Sequence, residues 1–380
     1  MRFRDDPTSP TRGGQALTSG APRSRPPRLL LVSMYPLDEG LWGPTVRITH
    51  LRDELAAVLD LDVIEGYRGT RRSRLWRYAV SGRLRGLDGI YVEASSFLPA
   101  ESDVAFLALA RGLGIPVLTY FRDAYQFFPE YYPIDSLRRW VSARAFLPAM
   151  RALAAASTRV AVPSRGLGDA LFGPNADALV LPPGAPPPVA IPYAATANRL
   201  LLVGDARLDA QGAPRLIEAV GRLRAAGRSS LGLTIVARAG QDPHGPQPDW
   251  LRIERASGDE IHRLLEDVVA SVIPRPRGAY NDLAVPIKLY DYLSYARPLI
   301  VTPCEEQARV VTDAGAGVIV DDDVAGMADG IDRFLALSPD ARASLAASAG
   351  RAAAAASWRH RATVILQALG MGDVAPSSER

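Results

Sequence analysis

Of the 44 basic residues in the chain, 43 are arginine and one is lysine, Lys288. It stands in the stretch N-D-L-A-V-P-I-K-L-Y-D-Y-L-S-Y-A-R-P-L-I-V-T-P, Asn281 to Pro303. A chain this biased toward the planar guanidinium fork that keeps one lysine points to a place needing a compact, flexible ammonium. Ile287, Tyr290, Leu293 and Ser294 recur at helical spacing, with Pro286 where a first-turn proline is tolerated and Pro298 as the stop. The free N–H groups and dipole at such a helix start favour a phosphate. Lys288 adds a positive charge there. Asp291, three residues on, shares its face and can accept hydrogen bonds from two vicinal hydroxyls, as a ribose presents. Together these make a cradle for a nucleoside diphosphate. The plainer alternative is a surface Lys288–Asp291 pair at a helix start.

Such a cradle needs a sheet edge behind it. Continuous apolar runs at Arg28–Ser33, Leu61–Ile64, Ile90–Val92, Ile115–Tyr120, Val160–Ser164 and Leu179–Gly184 alternate with helical patterns. They predict a doubly wound parallel sheet. Leu200–Gly204, Leu231–Ala237, Leu251–Ile253, Val268–Ile273, Leu299–Thr302 and Val318–Val320 predict a second. Helices are expected near Pro214–Ala226, Asp259–Asp267 and Gly326–Leu337. Two domains suit a chain of 380 residues, 48% of them hydrophobic. The expected division is a disordered extension (1–27), a first domain (28–188), a linker (189–198), a second domain (199–357), a returning helix (358–370) and a disordered tail (371–380). The lone Cys304 excludes internal disulfides, and no apolar run is long enough to span a membrane. The extension lacks the apolar core of a secretory signal, so the cytoplasm is the expected location.

The stretch around Lys288 resembles the nucleotide-sugar signature of the GT-B glycosyltransferases, family 4 (group 1) above all, which reads P-x-K-L-[FY]-E-Y-L-[AS]-x-G-[KR]-P. Here it is P-I-K-L-Y-D-Y-L-S-Y-A-R-P, with Asp291 for the acid and Ala296 for the glycine. The first carboxylate of the family's E-x7-E pair falls on Leu283. The resemblance implies two Rossmann-like domains facing across a cleft, with the C-terminal helix crossing back onto the first. It implies a retaining glycosyl transfer from a nucleotide-diphosphate sugar to a hydroxyl, without a metal or a bound cofactor. Gly204 opens a stretch, G-D-A-R-L-D-A-Q-G, matching the family's phosphate loop G-R-L-x-x-x-K-G, with Asp205 at the Arg position and Gln211 at the Lys position. Arg207, or Arg275 in I-P-R-P-R, then takes the part of the phosphate arginine. Glu254, in the loop after Ile253, takes the part of a contact to the base. Gly43 falls in the first-domain loop that approaches the donor phosphates, although a tight turn explains it equally well.

On the acceptor side the strand ending at Tyr120 runs into Phe121-Arg122-Asp123, at the carboxyl edge where such sheets bind ligands. Family members often carry His-Asp there, so Arg122 replaces the histidine. None of His50, His244, His262 and His360 is well placed to act as a base. Asp123 is the candidate, with Glu93 second, unless Asp123 merely caps the next segment. Seven arginines lie between Arg68 and Arg85 with no acid among them, interleaved with Trp76 and Tyr78. They suggest an anionic membrane surface or a solvated basic loop; no nucleic-acid module accompanies them. The aromatics from Tyr125 to Tyr132 and the helix carrying Arg138, Arg139, Trp140 and Arg144 suggest an acceptor groove, a bilayer contact or core packing. Pro148 is expected to interrupt any long amphipathic surface there. These features favour a glycan or lipid-linked acceptor in polysaccharide or cell-envelope synthesis, on the inner face of the membrane. The competing readings are a sugar-nucleotide epimerase on the same fold and a nucleotide-sugar-binding protein that has lost catalysis.

Overall fold

The computed structural model describes residues 25–38 and 43–373. The expected N-terminal extension, most of the expected tail, and part of the loop before Gly43 lie outside the described residues. Where the ends are described they are packed. The Pro27 carbonyl accepts from Asp60 N–H (2.9 Å), and Met371 is buried against Gly89. The expected disorder at these two residues is therefore corrected.

Two six-stranded parallel sheets organise the chain. The first has the order β2-β1-β3-β4-β5-β6, built from β1 (Arg28–Ser33), β2 (Asp60–Ile64), β3 (Gly89–Glu93), β4 (Val117–Tyr120), β5 (Arg159–Val162) and β6 (Ala178–Val180). The second, β12-β11-β10-β7-β8-β9, comprises β7 (Arg199–Val203), β8 (Gly232–Val236), β9 (Leu251–Glu254), β10 (Val268–Ile273), β11 (Leu299–Val301) and β12 (Gly317–Ile319). The central strands β3 and β10 are buried throughout, which is why they read as unbroken apolar runs rather than as alternation. Strand order reverses between β1 and β3 in one sheet and between β7 and β10 in the other. These switch points leave a crevice at the carboxyl ends of the strands. This is the GT-B arrangement of two Rossmann-like domains facing across a cleft.

The helices on the first sheet are α1 (Gly43–Ala56), α2 (Arg68–Val80), α3 (Glu101–Gly112), α4 (Leu137–Ala155) and α5 (Arg165–Phe172). On the second lie α6 (Ala213–Ala225), α7 (Ala279–Leu283), α8 (Ile287–Ser294), α9 (Glu305–Ala314), α10 (Val324–Leu335) and α11 (Pro339–Ala355). The helix α12 (Trp358–Ala368) crosses back: Trp358, Ala362, Ile365 and Leu366 are buried with Ile48, Leu51 and Leu55 of α1. Gly184 lets this happen, because a Cβ there would stand 2.5 Å from the Trp358 ring and 2.9 Å from its Cα.

Three of the segments read from sequence take a more definite form. The arginine-rich segment is not a loop but α2, and acids from elsewhere meet most of its charge. Arg71 is buried on Asp103 (2.6 Å), Arg68 and Arg72 share Glu101, and Arg83 pairs with Asp62. Pro148 does not break α4, which runs 19 residues through it. The helix expected near Asp259–Asp267 forms as a 3-10 helix, Gly258–Asp267.

Candidate active site

The helix α8 begins as expected at Ile287, with Pro286 extended (φ −70°, ψ 135°) before it. Its buried face, Leu289, Tyr290, Tyr292 and Leu293, packs it against the second sheet. The Tyr292 hydroxyl accepts from Val203 N–H at 2.6 Å, tying the helix to the end of β7. That anchoring leaves Lys288 facing the switch point, where its Nζ donates to Val203 O (3.1 Å) and Gln211 Oε1 (3.4 Å). Gly204 comes next in the chain at φ 155°, and a Cβ on it would lie 3.1 Å from Lys288 Nζ and 2.6 Å from Gln211 Oε1. Only glycine leaves this ammonium an open flank.

Lys288 lines a cavity of about 380 Å³ between the domains. The second domain contributes Gln211, Arg275, Tyr280, Asn281 and the start of α8; the first contributes Arg47, Tyr120, Arg122, Asp123, Tyr125 and Tyr131. Burial lowers the Lys288 pKa to about 8, helped by the Arg275 charge and opposed by Asp291. Burial likewise lifts Asp291 to about 6 against the pull of Lys288. No side-chain hydrogen bond reaches Asp291 among the described residues, and it stands one turn behind Lys288, outside the residues that line the cavity.

Arg275 follows β10 and donates to Asn281 Oδ1, which also accepts from Tyr131 OH of the first domain (3.0 Å). The Asn281 amide is fixed in turn by its Nδ2 on Pro276 O (2.8 Å). Next to it, Tyr280 packs among Tyr125, Phe128 and Tyr131, with ring centroids 4.5–5.4 Å apart. Sequence reasoning saw the aromatic run of the first domain, but nothing in the spacing marked Tyr280 and Asn281 as its partners. Leu283 joins this interface as well. Its carbonyl accepts from Ser164 Oγ (2.6 Å), and a Cβ on Gly166 would touch its side chain at 2.6 Å. The position where relatives carry a carboxylate therefore packs the two domains together.

On the opposite wall, Asp123 is 8% exposed. Its Oδ2 accepts from Ser96 Oγ (2.9 Å), and Ser96 is held by Tyr35 OH (2.8 Å). Its Oδ1 is buried without a partner. Burial lifts its pKa to about 6, while Arg122 and the Ser96 hydroxyl oppose that rise. Asp123 caps no helix: the 3-10 turn Tyr125–Phe127 begins after Ala124. Glu93, the second candidate base, is committed elsewhere. It accepts from Arg47 Nε (2.9 Å) and from the Tyr91 hydroxyl, and Arg47 lies over the Tyr120 ring at 3.8 Å.

Of the residues expected at the donor site, Lys288 and Arg275 line the cavity, whereas Asp291, Gly204, Arg207, Glu254 and Gly43 do not. Arg207 folds back on Asp205, donating from Nη2 to Oδ2 (3.0 Å). Glu254 ends the outer strand β9, with its nearest cation Arg252 at 3.8 Å. Gly43 opens α1 with nothing within 4 Å of where a Cβ would stand. Elsewhere in the first domain, beyond the ends of β1 and β3, Tyr67, Arg68, Phe97, Arg138, Arg139 and Val141 line a second cavity of about 760 Å³. Ile134, Leu137 and Trp140 are exposed beside it.

Residues 197–336 match the family model described as Glycosyl transferases group 1, so the resemblance read around Lys288 extends over the second domain. No curated protein is matched by the sequence. Solved structures share the fold along most of the chain. A sucrose-phosphate synthase from Thermosynechococcus elongatus aligns with TM-score 0.60 at 15% identity, covering 90% of this chain and 98% of its own. An E. coli structure described as trehalose-6-phosphate bound with UDP-2-fluoro glucose gives 0.56 at 12%, covering 90% and 98%. A UDP-forming α,α-trehalose-phosphate synthase from Burkholderia xenovorans, in complex with glucose-6-phosphate, gives 0.56 at 12%, covering 90% and 100%.

Proposed function

We propose that this protein is a glycosyltransferase that takes a sugar from a nucleotide-diphosphate donor and passes it to a hydroxyl acceptor across the interdomain cleft. The observation that carries this reading is the Lys288 ammonium at the start of α8, flanked by Gly204 and one turn from an unpaired Asp291. The second-domain family match and the GT-B fold support it. Asp291 would accept from the ribose hydroxyls. Lys288, Arg275 and the free N–H groups of α8 would stabilise the diphosphate as it leaves, placing fixed positive charge where negative charge develops. On this reading that fixed charge would take the part a metal ion otherwise plays as the nucleoside diphosphate departs. Asp123, buried with one oxygen free, would accept a hydrogen bond from the attacking hydroxyl and orient it toward the anomeric carbon. Retention at that carbon is part of the proposal and follows from the group 1 resemblance.

A polysaccharide or cell-envelope acceptor is the finer reading. It rests on the exposed apolar and arginine-lined surface of the first domain, around Leu137, Trp140, Arg138 and Phe97, which suits a lipid-linked acceptor at an anionic bilayer surface. The primary test is a thermal-shift panel of UDP, GDP, dTDP and ADP on the wild type and on Asp291→Ala. A ligand at about 100 times its Kd adds about 2.7 kcal/mol, a shift of several degrees. Stabilisation by one nucleotide that is lost in the variant is the expected result. No stabilisation by any of the four would sink the reading.

A further inference from the structure

The positive charge in the cleft exceeds what a donor diphosphate uses. Lys288 and Arg275 stand together on the second-domain wall, and the charges that bear on Lys288 are those of Arg275 and Asp291. Arg122 stands on the first-domain wall, where its charge is felt by Asp123, Tyr35, Tyr120 and Tyr125 and not by Lys288. Arg47, the other cation of that wall, is occupied by Glu93. Arg122 has no hydrogen-bond or ion-pair partner among the described residues, and its Nε is buried without one. Asp123, its neighbour in sequence and across the cavity wall, has a buried Oδ1 in the same state. Leaving a buried polar atom unpaired is costly, and Arg122 and Asp123 stand side by side among the residues that line this cavity, so they mark a place that a ligand completes.

We propose that Arg122 and Asp123 form an acceptor subsite selective for an anionic sugar, with Arg122 binding an oxyanion and Asp123 accepting from a nearby hydroxyl. A carboxylate and a phosphate monoester share the chemistry the guanidinium fork recognises, two oxygens taken by parallel N–H groups. A neutral sugar would leave Arg122 unpaired in the closed cleft, so the site discriminates by the charge it leaves unmatched as much as by the contact it makes. This rests on the donor reading above, and it adds the class of the second substrate.

The experiment uses the full chain saturated with whichever nucleoside diphosphate stabilises it. Glucose, glucuronate and glucose 6-phosphate, which differ only at carbon 6, are titrated by calorimetry. An anionic member is expected to bind at least about tenfold more tightly than glucose, since a lost charge-assisted hydrogen bond amounts to a factor of this size. Whichever of glucuronate and glucose 6-phosphate wins distinguishes a carboxylate from a phosphate site. Arg122→Gln should bring the three sugars level, and Arg122→Lys should restore only part of the preference, because the fork is gone. Equal binding of all three by the wild type, or binding of none, would overturn the proposal. So would an Arg122→Gln variant that loses nucleotide affinity as severely as Lys288→Ala, since Arg122 would then serve the donor. Failure of the wild type to bind any nucleotide would instead defeat the donor reading.

Discussion

Gly204→Ala tests the donor site without touching a charged side chain. The methyl group would stand 2.6 Å from Gln211 Oε1, which must therefore move, and 3.1 Å from Lys288 Nζ, which must give way slightly. The atoms that can yield are the flexible ends of Gln211 and of Lys288, the latter a proposed phosphate ligand. Stability should therefore fall only by the strain of an alanine at φ 155°, about 1–3 kcal/mol. For a domain of this size that is a drop in Tm of about 2–10 °C. Nucleotide binding should suffer more. Displacing the ammonium removes a charge-assisted hydrogen bond of about 1.5–3 kcal/mol, or about 10- to 150-fold in Kd.

Calorimetric titration of the stabilising nucleotide against Gly204→Ala, Lys288→Ala and the double variant reads this directly. Because the methyl acts through Lys288, the two losses should be strongly non-additive. Gly43→Ala is the control. With nothing within 4 Å of its Cβ and a place at the start of α1, it should leave Kd unchanged and Tm equal or slightly raised. A Gly204→Ala protein that binds nucleotide within twofold of wild type would refute the placement of the phosphates at Lys288.

Three further outcomes are expected. Asp123 is held near 6 against an ordinary 3.8, so the folded state binds its proton more tightly and stability falls as pH rises from about 3.8 through 6. At pH 7 the buried charge costs up to about 3 kcal/mol, so Asp123→Asn should raise Tm at pH 7 but not at pH 4, while transfer is lost; chemical denaturation at both pH values checks this. The unliganded Lys288 loses its charge above about 8 and Asp291 gains its proton below about 6, so nucleotide affinity should be greatest between these values and decline above about 8, with proton uptake on binding there. Titrations in buffers of different ionisation enthalpy would show the uptake, and Lys288→Ala should abolish it. Ala296 sits in the left-handed region at φ 50° just past the end of α8, where relatives carry glycine. Ala296→Gly should stabilise by up to about 1 kcal/mol in urea unfolding, the backbone strain relieved outweighing the added freedom of the unfolded chain.

Much of the fold was legible because parallel strands buried on both faces leave continuous apolar runs, and all twelve strands lie within the runs read from sequence or overlap them. The donor half of the site was legible for a different reason. Lys288 and Asp291 lie on one helix, where a spacing of three is already a statement about space. Arg207 misled because its partner, Asp205, is two residues away: a short-range ion pair holds it outside the cavity, and a loop motif does not reveal where its side chain is retained. The arginine run misled in the same direction. Its acids arrive from α3 and β2, and a count of charge along the chain cannot see Glu101, Asp103 or Asp62 coming.

The acceptor wall shows why the two substrates differ in readability. Tyr35 follows β1, Ser96 follows β3 and Asp123 follows β4, and these strands lie adjacent only because the sheet order reverses at β1. Each hydrogen bond of that chain spans 27 or more residues, so no spacing in the sequence encodes it. The same holds for Asn281, which joins Arg275, a proposed donor ligand, to Tyr131 on the proposed acceptor side, 150 positions away in sequence. If closure of the domains and orientation of Arg275 pass through that one amide, then donor and acceptor affinities are linked quantities. Substituting Asn281 with leucine would lower both, whereas Tyr131→Phe, which removes only the bond between domains, would weaken their linkage while Arg275 keeps its amide partner. A nucleotide Kd unchanged in Asn281→Leu would show that Arg275 is positioned without it.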